Sequence, residues 1–354
     1  MKKILPVCLL LLFTAGCMQK EVIDEVNFVM GFGVDKAENG GFTGTDVIPV
    51  YLKDQPVQTE IITDTGKYYR EMFINLQKQS SNPLVYGKLE VALFGEDMAK
   101  EGFYDVIDTF QRDASIGSNV FLAVARGKAS EVLQADYGTQ GTADYLYNMI
   151  RQNIETRDVP RNNLHLFLYN YYSEGKDNFL PIFNSAGEGK LEIDGMALFH
   201  NKKMVGEIPV DDMMFFKLLT DEYTKGNYNL VLPNGKVSSI KTISSDSKLK
   251  IDKKNPNKVF ISMKVTGSIP EYSGKKLTPK VLATIEKTFK KIIEKKTNEM
   301  ITQFKELNTD PIGIGEKAKH TVRGLNLSEW KKNYHNLDVT IKADVEVSES
   351  GVVE

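Results

Sequence analysis

The chain has 354 residues, 41% hydrophobic and 26% charged, with a formal net charge of −2 at pH 7. That is enough apolar side chain to bury cores in two or three domains by packing alone. The two cysteines, Cys8 and Cys17, offer no framework for a disulfide within a processed chain and no cysteine-ligated metal site.

The first element is an export signal. Met1-Lys2-Lys3 is basic, Ile4 to Phe13 is apolar, and the small residues Ala15-Gly16 lead directly into Cys17. The apolar run is far shorter than the roughly 20 residues a permanent membrane span needs, and it fits the layered plan of a cleaved signal. The Ala15-Gly16-Cys17 ending resembles the lipobox of bacterial lipoproteins. That resemblance implies cleavage after residue 16 and a lipid-modified Cys17, carrying S-diacylglycerol with or without an added N-acyl chain. Residues 1–16 are then a signal peptide and 17–25 a polar, lipidated tether.

From residue 26 the pattern alternates. "VNFVMGFGVD" (26–35) reads as a strand, "ENGGFTGT" as a turn and "DVIPVYL" (46–52) as a partner strand. In "TGKYYREMFINLQKQ" (65–79), Tyr69, Phe73 and Leu76 take helical spacing, with Thr65 as the expected cap. "LVYGKLEVALFG" (84–95) reads as a strand and residues 96–113 as one helix. "NVFLAVARG" (119–127) is another strand, followed by a short helix in "KASEVLQ" and two longer ones at 141–156 and 162–177. The alternation predicts a sheet covered by helices over 26–188.

"LEIDGMALFHNKKMVGEIP" (191–209) predicts a hairpin turning at "HNKK", followed by a helix from 210 to 224; together they are expected as a small middle domain, 189–225. Residues 226–354 change texture. Val, Ile, Ser and Lys strands divided by "PNG" and "NPN" predict an antiparallel meander. Thr278 and Pro279 then open the longest helix, whose apolar stripe runs from Val281 to Phe304. An alternating strand from Leu337 closes the chain. The fold class expected is α+β: multi-domain, helix-covered sheets, and a C-terminal meander packed with a long amphipathic helix. Charge is unevenly spread, about −12 over 17–225 and about +8 over 226–354. The basic half suits an anionic lipid surface, an acidic partner or plain solvation, and no nucleic-acid-binding motif accompanies it.

Chemistry is sparse. His165, His200, His320 and His335 show no zinc-binding spacing, and no serine-nucleophile motif occurs. "GFG" at 31–33 lacks the rest of a dinucleotide fingerprint. Asp211-Asp212 and Glu96-Asp97 lie at helix starts, where capping explains them. Tyr169, Tyr171 and Tyr172 are expected to pack together, and Trp330 to plug the core. No catalytic, metal or cofactor residue is expected.

Several of these segments together resemble the Ger(x)C family, the C subunits of nutrient germinant receptors in bacterial spores. They are "EVIDEVNFVMGFGVD" after the lipobox, "YYSEGKDNFLP", the "DGMALFHNKKMVGEI" hairpin, "LTPKVLATIEKTFKKIIEK", "DPIGIG" and the ending around Trp330. The resemblance implies a non-enzymatic lipoprotein on the extracytoplasmic face of the inner spore membrane. Its partners would be an A subunit and a polytopic B subunit, in a complex that answers nutrients. The competing readings are a solute-binding lipoprotein of a transporter, which calls for two similar lobes, and a cell-wall hydrolase, which calls for an acid–base pair or a metal.

Overall fold

The computed structural model describes residues 25–38, 40–187, 189–221 and 225–349. In chain order the first half contains β1 (Asn27–Phe28), β2 (Gly31–Lys36), β3 (Phe42–Val50), β4 (Gln58–Gly66), α1 (Tyr69–Gln79), β5 (Leu84–Val85) and β6 (Val91–Gly95). It continues through α2 (Glu96–Glu101), α3 (Tyr104–Arg112), β7 (Phe121–Ala125), α4 (Ala129–Gln134), α5 (Thr142–Thr156), α6 (Leu164–Tyr172) and β8 (Phe179–Ser185). The hairpin β9 (Leu191–His200) and β10 (Lys203–Pro209) and the helix α7 (Met213–Thr220) follow. The last part has β11 (Gly226–Val231), β12 (Val237–Ile251), β13 (Lys258–Tyr272), α8 (Pro279–Glu306), α9 (Ile314–Thr321), α10 (Leu327–Lys332) and β14 (Asp338–Glu349).

Among the described residues the larger sheet has eight strands in the order β10-β9-β8-β7-β6-β2-β3-β4. Its centre, β2-β6-β7-β8, is parallel, and hairpins extend it on both sides. Parallel strands are covered on both faces and read as unbroken apolar runs. Every residue of "VALFG" in β6 is accordingly buried. Alternation sends Ala92 and Phe94 into the core beneath α1, α2, α3 and α6, and Val91 and Leu93 into the core beneath α4 and α5.

The hairpin β9–β10, expected in a unit of its own, pairs through β9 with β8 and completes this sheet. Phe179, Met196, Leu198 and Ile208 from its strands enter the same apolar cluster as α7, α8 and the second sheet. The two sheets therefore share one core.

The second sheet runs β11-β12-β13-β14. β11 to β13 form the expected meander, but β14 pairs parallel to β13, so the sheet is mixed. Parallel pairing requires a crossover rather than a tight turn, and α8, α9 and α10 provide it. Helix α8 begins as its sequence predicts: Thr278 Oγ1 accepts from the Val281 N–H at 3.3 Å, with Pro279 in the first turn. Its 28 residues span about 42 Å at 1.5 Å each. Ile285, Phe289, Ile293, Met300, Ile301 and Phe304 form the buried stripe. The same helix guards the sheet edge, because Glu294 accepts from the Ala343 N–H at 3.0 Å and Glu286 from the Val347 N–H at 3.1 Å. Unpaired edge donors of β14 are thereby satisfied.

Three local expectations change. Thr65 lies inside β4, paired with Thr43, and Tyr68 takes the cap position of α1. The polar edge strand "QTEIITDTG" carries too little apolar alternation to be read from sequence. The helix expected over 96–113 is split at Gly102 (φ 108°) into α2 and α3.

Phe289 is fully buried between α8 and the second sheet and meets Tyr228 at 5.5 Å between ring centroids. Phe289→Ala should cost about 3–5 kcal/mol, the usual range for an aromatic core deletion, read as a lower urea midpoint.

Candidate functional site

The glycines of "GFGVD" serve packing. A Cβ on Gly33 would lie 2.5 Å from Leu133 Cδ1 and 3.2 Å from the Ala129 Cβ, so glycine here lets α4 sit directly on the sheet. Asp35, 4% exposed, accepts from the Ala129 N–H at 2.7 Å and the Ser130 N–H at 2.9 Å. The motif seats a helix.

Three separated segments meet where the two sheets join. They are Gly175–Asn178 after α6, Phe199–Lys202 at the β9–β10 turn, and Asn308–Glu316 leading into α9. Asp310 is at the centre. Its Oδ1 accepts from the Ile314 N–H at 2.9 Å, its Oδ2 from the Gly315 N–H at 2.7 Å, and the Tyr334 hydroxyl bonds the same carboxyl. Asp310 and Asp177 are doubly linked: the Asp310 N–H donates to the Asp177 side-chain Oδ2 at 2.8 Å, and the Asp177 N–H donates to the Asp310 backbone carbonyl at 2.9 Å. Thr309 Oγ1 donates to the Phe199 carbonyl at 2.6 Å.

His200 completes the ring of contacts. The amide Nδ2 of Asn201 lies 2.8 Å from His200 Nε2, and an amide nitrogen can only donate, so Nε2 is the acceptor. The proton then sits on Nδ1, which donates to Asp177 Oδ2 at 3.2 Å. Beside these contacts, Gly175 adopts φ +100°, and a Cβ there would lie 2.5 Å from the Glu316 nitrogen. That nitrogen donates to the Gly175 carbonyl at 2.8 Å. Gly175 and Gly315 thus let two backbones touch.

Burial pushes the Asp310 carboxyl up to about 7, against the lowering effect of the Gly315 and Ile314 N–H bonds. The same cause raises Tyr334 well above the ordinary tyrosine range. A second buried acid, Asp46 in β3, is likewise pushed to about 7 by burial although Tyr86 donates to it at 2.8 Å. Its other oxygen has no partner among the described residues. Sequence reading missed Asp46, which looks like any strand-flanking acid.

The remaining sequence candidates stay apart. Cys17 lies outside the described residues. His165, His320 and His335 are exposed, and among the described residues no group of three or more His, Cys, Asp or Glu could hold a metal. Asp212 pairs with Lys296 at 2.8 Å and Glu96 with Lys100 at 2.8 Å. Of the tyrosines expected to pack together, Tyr171 rests on Tyr104 with centroids 4.6 Å apart. Tyr172 meets Tyr171 edge to face with centroids 4.9 Å apart, as expected, although Tyr169 and Tyr172 are exposed on the outward face of α6. Their hydroxyls donate to Glu316 and Gln111, each at 2.6 Å. Trp330 is buried as expected and donates to the Pro256 carbonyl at 3.2 Å.

What this geometry defines is a mixed α/β protein whose sequence motifs converge on a structural junction. The sequence profile described as "Spore germination protein N-terminal domain" matches residues 19–185, and that described as "Spore germination B3/GerAC like, C-terminal" matches residues 194–351. The chain belongs to the Ger(x)C family of spore germination proteins. It is 31% identical over 361 residues, covering the whole of both chains, to spore germination protein GerQC of Bacillus cereus. It is 22% identical over 275 residues, 75% of this chain and 72% of the other, to spore germination protein A3 of Bacillus subtilis (strain 168). The crystal structure of the GerBC protein shares the fold, with a TM-score of 0.59 and 16% identity over 90% of this chain and 96% of that one. Two similar lobes joined by a hinge, as a transporter's solute-binding protein would have, are not this architecture: one sheet has eight strands and the other four, and among the described residues the long helix of the second half has no counterpart in the first.

Two outcomes test the junction. Gly175→Ala should lower the melting temperature markedly more than Gly187→Ala. Both glycines have positive φ, but a Cβ at Gly187 meets nothing within 4 Å, so the second variant isolates backbone strain of about 1–3 kcal/mol. For Asp310, a folded value near 7 against an ordinary value of about 3.9 means the folded chain keeps a proton that the unfolded chain releases. Its stabilising contribution is full below about pH 4 and lost as pH rises through 7. The stability lead of the parent over Asp310→Asn, measured by urea unfolding, should shrink between pH 5 and pH 8.

Proposed function

We propose that this chain is a non-enzymatic, lipid-anchored subunit of a nutrient germinant receptor, required for the spore's response to nutrients. The observation that carries the reading is the family match over both halves of the chain, full-length in the case of GerQC. The lipobox-like ending at Cys17 supports an anchor in place of a membrane span, and no helix among the described residues is long and apolar enough to cross a membrane. In this reading Cys17 holds the protein on the extracytoplasmic face of the inner spore membrane, beside an A subunit and a polytopic B subunit. Tethering confines the search for those partners to the membrane surface and raises their effective concentration. Diacylation suffices for a stable anchor, where a single chain binds only marginally.

A tagged chain expressed in spores should co-purify with a polytopic membrane subunit. Cys17→Ala should move the protein out of the membrane fraction and slow nutrient-triggered germination while leaving the fold intact. Normal germination in spores carrying only that variant would reject the reading.

A further inference from the structure

Beside the junction lies a polar cleft of about 280 Å³ that the contacts above do not explain. Lys176 comes to its wall from the segment after α6, Lys202 from the β9–β10 turn, and Lys331 from α10. None of the three is in an ion pair with a carboxylate among the described residues, while the acids around them are committed. Asp177, the carboxylate on the wall, already accepts from Asp310 and His200. Of the acids outside it, Asp108 pairs with Arg112 at 2.7 Å and Glu174 with Lys319 at 2.6 Å. Asp221, in an adjoining cleft, accepts from the Arg161 N–H at 3.3 Å and acts on Lys176 through space. Asp105 acts on Lys202 through space without pairing with it. The concave space therefore keeps an excess of positive charge, the arrangement that concentrates anions.

A second, independent observation points to a ligand. Asn170 on α6 is 8% exposed, and its side-chain amide is not among the fully buried atoms left without a partner, so it keeps an opening to solvent. It lines this cleft and an adjoining one that holds Arg161 and shares Lys176. Amides this nearly buried ordinarily find a partner, and the opening left to this one is the lysine-lined cleft. The β9–β10 turn adds a third feature. Asn201 (φ 46°) and Lys202 (φ 72°) are both left-handed, in a two-residue turn that ordinarily favours glycine at its second position. A lysine is held there with its ammonium 5.7 Å from the Tyr104 ring centre and 5.2 Å from that of Tyr171.

We propose that this cleft binds a small oxyanion, a carboxylate or phosphate group, between Lys176, Lys202 and Lys331, with the Asn170 amide donating to it. Its volume falls just below the roughly 300–1,000 Å³ typical of pockets for drug-sized ligands, so the ligand is a compact acid. Lys176 and Lys202 belong to the half built on the larger sheet and Lys331 to the half built on the smaller. A bound anion thus adds a bridge across the junction. The inference stands on the cleft alone and does not depend on the lipid anchor or on receptor assembly.

The test uses the full chain in detergent micelles. Citrate and inorganic phosphate are titrated in turn, with sodium chloride at matched ionic strength as the reference, and thermal unfolding and calorimetry are the readouts. Saturable binding of citrate, phosphate or both, with a melting temperature above the chloride reference, is expected; whichever arm binds tighter identifies the oxyanion. The triple variant Lys176→Gln/Lys202→Gln/Lys331→Gln should weaken that binding at least tenfold, and Asn170→Leu should weaken it in an otherwise cooperative fold. Exposed lysines on the second sheet, changed as Lys248→Gln/Lys250→Gln/Lys253→Gln, should leave it unchanged. Absence of saturable binding in both arms, or equal loss in the junction and control variants, overturns the proposal.

Discussion

A buried carboxyl group, that of Asp310, sits where the two sheets meet, and the junction is organised around its needs. Removing a carboxylate from water is expensive unless charge-directed hydrogen bonds replace the lost hydration. Asp310 receives two backbone N–H groups from the first turn of α9 and a tyrosine hydroxyl. Those donors can face it only if the "DPIGIG" segment turns back on itself, and Gly313, in the left-handed region at φ 75°, makes that turn. Once the turn is made, the Asp310 backbone is presented to Asp177 and the Glu316 nitrogen to Gly175. One desolvated acid therefore fixes the entry of α9, the loop after α6 and, through Asp177 and His200, the hairpin turn.

Hydrogen bonding alone does not hold the halves together. Arg126 bridges Asp194 and Glu207 within the larger sheet, and Lys319 with Glu174 and Tyr169 with Glu316 span the junction on its exposed side. Exposed ion pairs are worth roughly 0–1 kcal/mol each, so they trim the arrangement without determining it. The larger contribution is apolar. Phe179 and Phe216 meet edge to face at 5.0 Å, and Phe216 meets Phe304 at 6.0 Å, which joins β8, α7 and α8 in one packed row. Lys217, 1% exposed in the middle of α7, is accommodated because its ammonium donates to the Ile154 and Arg157 carbonyls at 2.7 Å each. That contact ties the end of α5 to the shared core.

How much of this could be read beforehand depends on whether a signal is local. The cap and stripe of α8, the hairpin turning at His200–Lys203 and the buried runs of β6 and β7 are written in spacing and turn residues, and they were legible. The parallel pairing of β14 was not, because an alternating strand carries no mark of its partner's direction. The strand β4 was hidden by its polar composition, which suits an edge and looks like a loop. His200 and Asp177 stand 23 residues apart, and Asp310 is 133 residues from Asp177. Nothing in the separate segments "YYSEGKD", "LFHNKK" and "DPIGIG" announces that they touch. Their resemblance to a family identified them as distinctive, while only the fold supplies the reason.

The matched family segments divide in sequence between residues 185 and 194, yet the covalent division is not the physical one. Strands β9 and β10 lie beyond that point and still complete the first sheet, and their inner side chains face the core of the second. Parting the halves would expose Phe179, Met196, Leu198 and Ile208 together. It would also exchange the two Asp310–Asp177 hydrogen bonds for bonds to water, a net loss of about 0.5–1.5 kcal/mol each. A force applied to either half is consequently met by the shared core and by the Asp310 network at once.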